Sequence, residues 1–454
     1  MKSAALPDLL SSLGCSSADD AEIGGSDPVL QTKFLIGEGA ATALAAIGVA
    51  ISDLWELRTG RRQRARIDVT AAAAALLSFA WQRVAKGDPI APRGARITDL
   101  YPTKDGRWFL LHGSFPNTTE ATLKLLGCSG EKEDVASALA AWDAQALEDE
   151  LAERGLCGAM VRSAEEWRSH PQGQELARRP VVEVLRVGES PPEPSAPADR
   201  PLAGVRVLDL TRVLAGPTCG RTLAEHGADV LRIDSPNLPH VPNFVIDTGH
   251  GKRSAHLDLT NRDDADRLRS LVREADLFTQ GYRLGAMERL GFGPEALHEL
   301  RPGIIYTSIN CYGHEGPWKS RPGWEQLAQT VTGIAAEHGG PERPRLLPAA
   351  ATDYTTGYLA ALGALVALRR RAREGGSYHV RVSLSRTGMW IDSLGRSEEA
   401  GQPLTSDDVA ALLIETETPH GRLRHLKPVL ELSETPPHWA LPTVPLGTHE
   451  AAWW

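Results

Sequence analysis

Asp353 is the carboxylate best placed to do chemistry, because it precedes a helical run over Tyr354–Arg371. Apolar residues recur at helical spacing in that run, which places Asp353 at or near the helix N-terminus. Capping alone would explain an aspartate there. A helix N-terminus also lowers the pKa of a carboxyl group and keeps it ionised, which a carboxylate nucleophile requires. Position alone favours the capping role over the catalytic one.

Two loops carry residue types that suit a phosphorylated ligand. Thr211–Pro217 follows a short predicted strand, where a nucleotide-binding fold presents open backbone N–H groups at the start of the next helix. The loop lacks the G-x-G-x-x-G pattern, so NAD or FAD is not expected. Lys252 and Arg253 stand in a glycine-flanked turn, where Arg offers a phosphate a fork of donors and Lys a point charge. A solvated basic turn is the alternative for this pair, and equally for Arg283 and Arg289.

Several classes of site and partner are not expected. The chain of 454 residues has a net charge of −9, which disfavours a general nucleic-acid or anionic-membrane binder. Its five cysteines never form a C-x-x-C pair and no histidine falls in an H-E-x-x-H spacing, so neither a metal site nor a disulfide framework is predicted. Ser308 lacks the elbow motif of a serine hydrolase. With no apolar run of the ~20 residues that a membrane span needs and no signal-peptide pattern, we expect a cytoplasmic protein.

Alternating strands and helices must position the candidate residues. Strands are predicted at Val205–Leu210, Ala228–Asp234, Asp276–Thr279 and Ile304–Ile309, with helices between them. This alternation predicts an α/β fold with a parallel sheet covered by helices. Asp234 ends the second strand, where it could contact a ribose or simply be solvated.

The sequence also contains an internal repeat. Glu38–Gly48 matches Asp353–Gly363 with a shift of 315 residues, and in both copies a glycine stop and a short strand follow the helix. Any Ala-rich helix resembles another, but the shared stop and strand favour a duplication. A weaker similarity pairs Val181–Pro194 with Pro428–Pro437.

Taken together, these segments resemble the class III CoA-transferases, a family that also contains formyl-CoA transferases, carnitine CoA-transferases and 2-methylacyl-CoA racemases. The resemblance covers most of the chain and rests on several blocks: Pro201–Pro217, Gly227–Asp234, Gly251–Leu259, Met287–Gly293, Gly313–Pro317 and Gly375–Leu384. It implies a Rossmann-like parallel sheet with helices on both faces, plus a smaller α+β domain.

The resemblance also implies a role for each candidate residue. Asp353 corresponds to the family's catalytic carboxylate, which attacks an acyl-CoA thioester, forms a mixed anhydride and then an aspartyl-CoA thioester that a second carboxylic acid opens. Glu325 should face the thioester. CoA, as a substrate and not a tightly bound cofactor, should contact a set of loop residues: Val213, Leu214, Ala215, Lys252, Arg253, Tyr282 and Arg289.

The order of the segments departs from the family pattern. A Pro-rich linker at 187–200 separates two unlike halves. We predict a degenerate copy of the catalytic helix and strand at 1–70, with Glu38 in place of the aspartate, and a small α+β domain with a return segment at 71–186. The CoA-binding nucleotide fold follows at 201–394 and a C-terminal return segment at 395–454. Residues 93–97 stand where formyl-CoA transferases carry a glycine-rich lid, so their small-acid substrate is not expected here.

The first hypothesis is a CoA-transferase that moves CoA from an acyl-CoA to a carboxylic acid. A 2-methylacyl-CoA racemase is the alternative enzyme, but the family's racemases place a histidine where this chain has Trp324, and indole cannot exchange that proton. A CoA-ester-binding protein without catalysis is the third hypothesis. The expected partners are acyl-CoA, a carboxylic acid and a second copy of the chain in a homodimer, which could be interlocked.

Overall fold

The computed structural model describes residues 5–84, 97–113, 115–340 and 342–454. Most of the segment expected in place of a lid, residues 93–96, lies outside them. The helices are α1 Ala5–Leu13, α2 Ile36–Thr59, α3 Val69–Ala75, α4 Pro116–Leu126, α5 Lys132–Leu139, α6 Ala144–Glu153, α7 Ala164–Ser169, α8 Pro171–Ala177, α9 Ala215–Glu225, α10 Pro242–Thr248, α11 Arg262–Val272, α12 Ala286–Arg289, α13 Pro294–Leu300, α14 Glu325–Val331, α15 Ile334–Gly339, α16 Ala351–Glu374 and α17 Leu384–Ser393.

The strands form four sheets among the described residues. They are β1 Ala21–Gly24, β2 Ala65–Asp68, β3 Arg83–Val84, β4 Asp99–Pro102, β5 Trp108–His112, β6 Cys157–Met160, β7 Glu183–Gly188, β8 Arg206–Leu210, β9 Asp229–Asp234, β10 Lys252–His256, β11 Leu277–Gln280, β12 Ile305–Asn310, β13 Ser377–Ser383, β14 Leu413–Thr418, β15 Gly421–Leu426 and β16 Glu431–Leu432.

The main sheet has the order β10-β9-β8-β11-β12-β13-β7. Its first six strands run parallel, and β7 closes the sheet antiparallel to β13. This is the strand order of a doubly wound nucleotide-binding fold, in which the order of strand addition reverses between β8 and β11. The predicted α/β architecture is therefore confirmed. One local prediction is wrong: Lys252 and Arg253 lie inside β10 and not in a turn before it.

Two long helices form the centre of the core. α2 and α16 pack against each other, and nearly every residue in the first five turns of each is buried. Both helices end at a glycine with a left-handed φ, Gly60 (74°) and Gly375 (68°), which a residue with a Cβ rarely adopts. α2 is long and apolar enough to cross a membrane, but 89% of its apolar window is buried inside the protein, as in a core helix.

The internal repeat is visible in the structure. Both boundaries of α16 lie 315 residues after those of α2. The small sheet β1-β2-β16 has a parallel pair followed by an antiparallel strand, which is also the pattern of β12-β13-β7. The weaker similarity between residues 181–194 and 428–437 contains β7 and β16, the antiparallel strands of these two sheets.

The two halves of the chain exchange strands across the predicted linker. β7 comes from the N-terminal half and ends at Gly188, so the predicted linker 187–200 begins inside a strand of the main sheet. In return, the C-terminal segment supplies β16 to the sheet of β2 and β15 to the sheet of β3. The remaining small sheet, β4-β5-β6, packs with α4–α6 and presents the end of β5 towards α14.

Candidate functional site

Asp353 lies in the first turn of α16, and Glu325 is the first residue of α14. Both side chains are buried. The Glu325 carboxylate accepts hydrogen bonds from the backbone N–H of Thr352 (3.1 Å) and of Asp353, and from the hydroxyl of Thr352 (2.5 Å). A fourth donor is the Gln329 amide at 2.5 Å. Glu325 therefore caps α16 and fixes the backbone of Asp353, while no donor to the Asp353 carboxyl group is recorded among the described residues.

The pKa of Asp353 differs from the sequence expectation. Burial raises the pKa of Asp353 well above its ordinary value, and the neighbouring Glu325 charge raises it further. Burial also raises the pKa of Glu325, but its four hydrogen-bond donors oppose that shift and favour its carboxylate. The expectation that the helix terminus lowers this pKa is wrong, because burial beside a second carboxyl group outweighs the helix dipole.

A cavity of about 300 Å3 opens beside these carboxyl groups, and we call it the aspartate cavity. Asp353 and Glu325 contribute its acidic wall. Five rings from both halves of the chain also line it: Phe79, His112, Phe115, Phe244 and Trp324. The Trp324 ring lies 5.9 Å from His112 and 5.4 Å from Phe115, measured between ring centroids. A single chain thus encloses this cavity with residues from both sides of the linker.

A second cavity of about 360 Å3 adjoins the first through Phe115 and Trp324, and we call it the arginine groove. It lies at the carboxyl ends of β8, β11 and β12, next to the point where the strand order reverses. Folds of this kind bind their ligands there. Three guanidinium groups line it without an ion pair to any described carboxylate: Arg212, Arg283 and Arg289. Burial lowers the pKa of Arg212, which lies over the Phe115 ring at 5.2 Å. Uncompensated guanidinium groups in a concave groove suit a phosphorylated ligand.

A third cavity of about 270 Å3 lies at the ends of β8, β9 and β10 and shares Leu210 and Tyr282 with the arginine groove. We call it the strand-end cavity. Its lining is largely apolar, and Asp234 contributes a carboxylate at its edge. That carboxylate is held by Arg232 at 2.7 Å. The strand-end cavity thus shares lining residues with the arginine groove, and the groove shares others with the aspartate cavity. We call this series of three cavities the path from the sheet ends to Asp353.

Most of the residues predicted to contact a nucleotide ester lie along this path. Val213 and Leu214 line the aspartate cavity, and Tyr282 and Arg289 line the arginine groove. Ala215 is buried at the first position of α9 and does not line any of the three cavities. Val213 has a φ of 68°, a conformation that costs a β-branched residue about 1–3 kcal/mol. The loop after β8 is therefore strained where it meets the cavity.

Lys252 and Arg253 lie elsewhere. The Lys252 ammonium is buried and donates to the Asp209 carboxylate at 2.6 Å and to the Pro217 carbonyl at 2.7 Å. The Arg253 guanidinium forms two hydrogen bonds with Asp229, at 2.7 and 2.8 Å. Neither side chain lines any of the three cavities. The structure assigns both cations to ion pairs that hold the main sheet, and does not bring them to the groove.

His112 and Arg212 are among the lining residues that sequence reasoning missed. His112 ends β5, far along the chain from α16, and burial lowers its pKa to about 4. No motif surrounds it, so only the fold reveals its position. Arg212 stands directly before Val213 in a loop that the sequence did single out, and its charge next to a predicted ligand loop was the available signal.

The degenerate copy keeps the capping geometry but not the cavity. The Asp27 carboxylate accepts a hydrogen bond from the Glu38 backbone N–H at 2.8 Å, as Glu325 does from Asp353. Glu38 in turn accepts from the Asp27 backbone N–H at 3.2 Å and does not line any of the three cavities. Within the described residues, no group of three or more metal-ligating side chains occurs.

The sequence profile of CoA-transferase family III matches residues 18–198 and 202–395 of this chain. An acetyl-coenzyme A transferase, nodX, from Hypoxylon pulicicidum is 37% identical over 333 residues, which cover 67% of this chain and 56% of that protein. An acyl-CoA transferase from Gibberella moniliformis is 37% identical over 331 residues, covering 66% and 57% of the two chains. This chain thus spans a little over half the length of these relatives.

Among solved structures, the crystal structure of Rv3272 from M. tuberculosis in its orthorhombic form is 32% identical in sequence. The superposition covers 43% of this chain and 57% of that chain, with a TM-score of 0.41.

Proposed function

The chain belongs to CoA-transferase family III, and from that premise we propose that it moves coenzyme A from an acyl-CoA thioester to a carboxylic acid through a covalent intermediate on Asp353. The observation that carries the proposal is the position of Asp353, a buried carboxyl group at the inner end of a path whose outer part is cationic. The names of the two fungal relatives support a CoA-transferase activity.

In the proposed complex, the three cavities divide the CoA thioester between them. Arg212, Arg283 and Arg289 bind phosphates in the arginine groove, and the strand-end cavity receives the adenosine. The pantetheine arm then runs past Phe115 and Trp324, which border both the groove and the aspartate cavity. CoA is a substrate in this scheme, and no tightly bound cofactor is required.

The proposed reaction has four steps, each of which forms one bond and breaks another. The ionised carboxylate attacks the thioester carbonyl carbon, the C–S bond breaks, and CoA thiolate leaves a mixed anhydride. The thiolate then attacks the aspartyl carbonyl carbon of that anhydride, which releases the first acid as its carboxylate and leaves an aspartyl-CoA thioester. The acceptor carboxylate attacks this thioester and releases the thiolate. The thiolate finally attacks the acceptor acyl carbon of the second anhydride and regenerates the Asp353 carboxylate.

The surroundings of Asp353 favour these steps in two ways. Glu325 holds the first turn of α16 through three hydrogen bonds, so the reacting carboxyl group is positioned before substrate binds. Burial removes water that would hydrolyse the anhydride and the thioester intermediates. Because the pKa of Asp353 is raised, it must lose a proton before attack.

Hydroxylamine trapping tests the proposal. The protein is incubated with acetyl-CoA and hydroxylamine and digested, and the peptide that contains Asp353 is examined by mass spectrometry. An aspartyl hydroxamate at Asp353 is expected, and Glu38→Gln serves as the matched control that should be labelled as the unmodified chain is. Labelling that persists at another carboxylate in Asp353→Asn would refute the assignment.

His112 keeps a second candidate function open. Its neutral imidazole lines the same cavity as Asp353, so a proton-transfer group faces the aspartate although Trp324 occupies the position of the racemase histidine. A 2-methylacyl-CoA racemase would use such a pair on the two faces of the α-carbon. Deuterium uptake at the α-carbon of 2-methylbutyryl-CoA in heavy water, without any acceptor acid, would support racemisation. A protein that only binds CoA esters would give neither deuterium uptake nor hydroxamate.

The cytoplasmic location, the homodimer and the five predicted segments stay predictions. Sedimentation of the purified chain measures the oligomeric state directly, and a monomeric mass would contradict the homodimer.

A further inference from the structure

We propose that the acyl group handled at Asp353 is uncharged and apolar, about the size of an aromatic ring, and that dicarboxylic acids are excluded. This inference rests on the proposed function and names its substrate class. Four aromatic rings besides His112 face the aspartate cavity or border it, and aliphatic side chains such as Leu77, Leu346 and Leu347 fill the gaps. Phe79 and Phe244 meet edge to face with their ring centroids 5.1 Å apart.

The cavity lining offers no cation that would bind a second carboxylate. Among the described residues that line it, none is lysine or arginine. Burial lowers the pKa of His112 to about 4, so its imidazole is neutral at physiological pH. The Gln329 amide is already used, because it donates to Glu325 at 2.5 Å and accepts from the Leu347 backbone N–H at 2.7 Å. A buried carboxylate without a cation loses hydration that neutral donors compensate only in part.

The acidic wall adds repulsion to that loss. Four hydrogen bonds favour the carboxylate form of Glu325, and a distal carboxylate of a short diacid would lie in the same cavity. Like charges in a site of low dielectric repel more strongly than in water. An apolar group meets neither penalty and gains from burial against the rings.

The volume limits the size of the acyl group. An apolar cavity of about 150 Å3 holds a benzene ring. The aspartate cavity has about 300 Å3, which is enough for the thioester carbonyl and one ring-sized group. Long acyl chains would extend beyond Phe244 and Leu346, which stand at its wall.

The test compares the binding of three probes to full-length Asp353→Asn, which keeps the thioesters intact. Calorimetry with free CoA, phenylacetyl-CoA and succinyl-CoA gives the three dissociation constants. We expect phenylacetyl-CoA to bind at least tenfold more tightly than free CoA, and succinyl-CoA no more tightly than free CoA. Equal affinity of the two thioesters, or of all three probes, would overturn the inference.

A charge substitution at the cavity wall provides the second measurement. Gln326 lines the cavity and is partly exposed, so Gln326→Lys can place an ammonium there, and Gln326→Met is the uncharged control of similar length. Each is combined with Asp353→Asn. Succinyl-CoA should gain at least tenfold in affinity with Lys and nothing with Met, and a gain in neither or in both would contradict the argument. The binding measurements test the specificity of the cavity even if hydroxylamine trapping shows no transfer. Conversely, hydroxamate formation from succinyl-CoA at the same rate as from phenylacetyl-CoA would support the transfer chemistry and refute the specificity.

Discussion

Replacement of Asp353 by asparagine should stabilise the protein increasingly as the pH rises. The native state holds a proton on the pair formed by Asp353 and Glu325 at pH values where the unfolded chain has released it, because burial raises the pKa of Asp353 well above its ordinary value. Unfolding therefore releases a proton, and the free energy of unfolding falls as the pH rises from the unfolded pKa towards the folded one. Asparagine resembles the protonated aspartate and does not titrate, so the variant escapes this loss.

The size of the effect follows from one proton. A single proton released on unfolding changes the free energy of unfolding by about 1.4 kcal/mol per pH unit. Unfolding entropy is about 2.1 cal/mol/K per residue near the midpoint, so a chain of 454 residues loses about 1.5 °C in Tm per pH unit from this group. The Tm difference between Asp353→Asn and the parent should therefore grow from pH 5 to pH 7, by up to about 3 °C.

Thermal unfolding followed by tryptophan fluorescence at pH 5, 6 and 7 measures this difference. Asp8→Asn is the matched control, because Asp8 also lies in the first turn of a helix but is exposed to solvent, and its Tm difference should not grow with pH. A difference for Asp353→Asn that stays constant with pH would refute the buried proton. A Tm that falls relative to the parent as pH rises would mean that Asp353 is ionised and stabilised by the helix terminus after all.

Three further predictions concern other parts of the path. Arg289→Gln should raise the KM for acyl-CoA about tenfold with kcat nearly unchanged, because the proposed phosphate contact contributes equally to binding before and during the reaction. A lower kcat with an unchanged KM in steady-state kinetics would contradict this prediction. Lys252→Met should leave Asp209 buried without its cation and lower Tm by about 3–5 °C. A raised KM for acyl-CoA in the folded variant would instead support the sequence-based prediction that Lys252 contacts CoA. The rate of hydroxamate formation should rise with pH as Asp353 ionises, and a pH-independent rate would contradict its raised pKa.

The sequence predicts the helices and strands of this molecule better than the contacts and pKa values of the candidate site. Local periodicity and the repeat predict α2, α16 and the parallel strands, since each depends on residues close in the chain. Tertiary contacts decide the rest. The glycine-flanked sequence around Lys252 is typical of a phosphate-binding turn. Its ammonium instead pairs with Asp209, which lies 43 positions earlier in β8. The position of His112 and the raised pKa of Asp353 depend on elements that meet only after folding.

The exchange of β7 and β16 between the two halves makes the halves mechanically inseparable. A protease that cuts between residues 190 and 200 would leave each fragment still hydrogen-bonded into the other's sheet through β7, β15 and β16. The nicked protein should therefore migrate as one particle in size-exclusion chromatography and melt in a single transition. The wall of the aspartate cavity that carries His112 and Phe115 would therefore stay next to Asp353 through these strand pairings, even after the connecting polypeptide is cut.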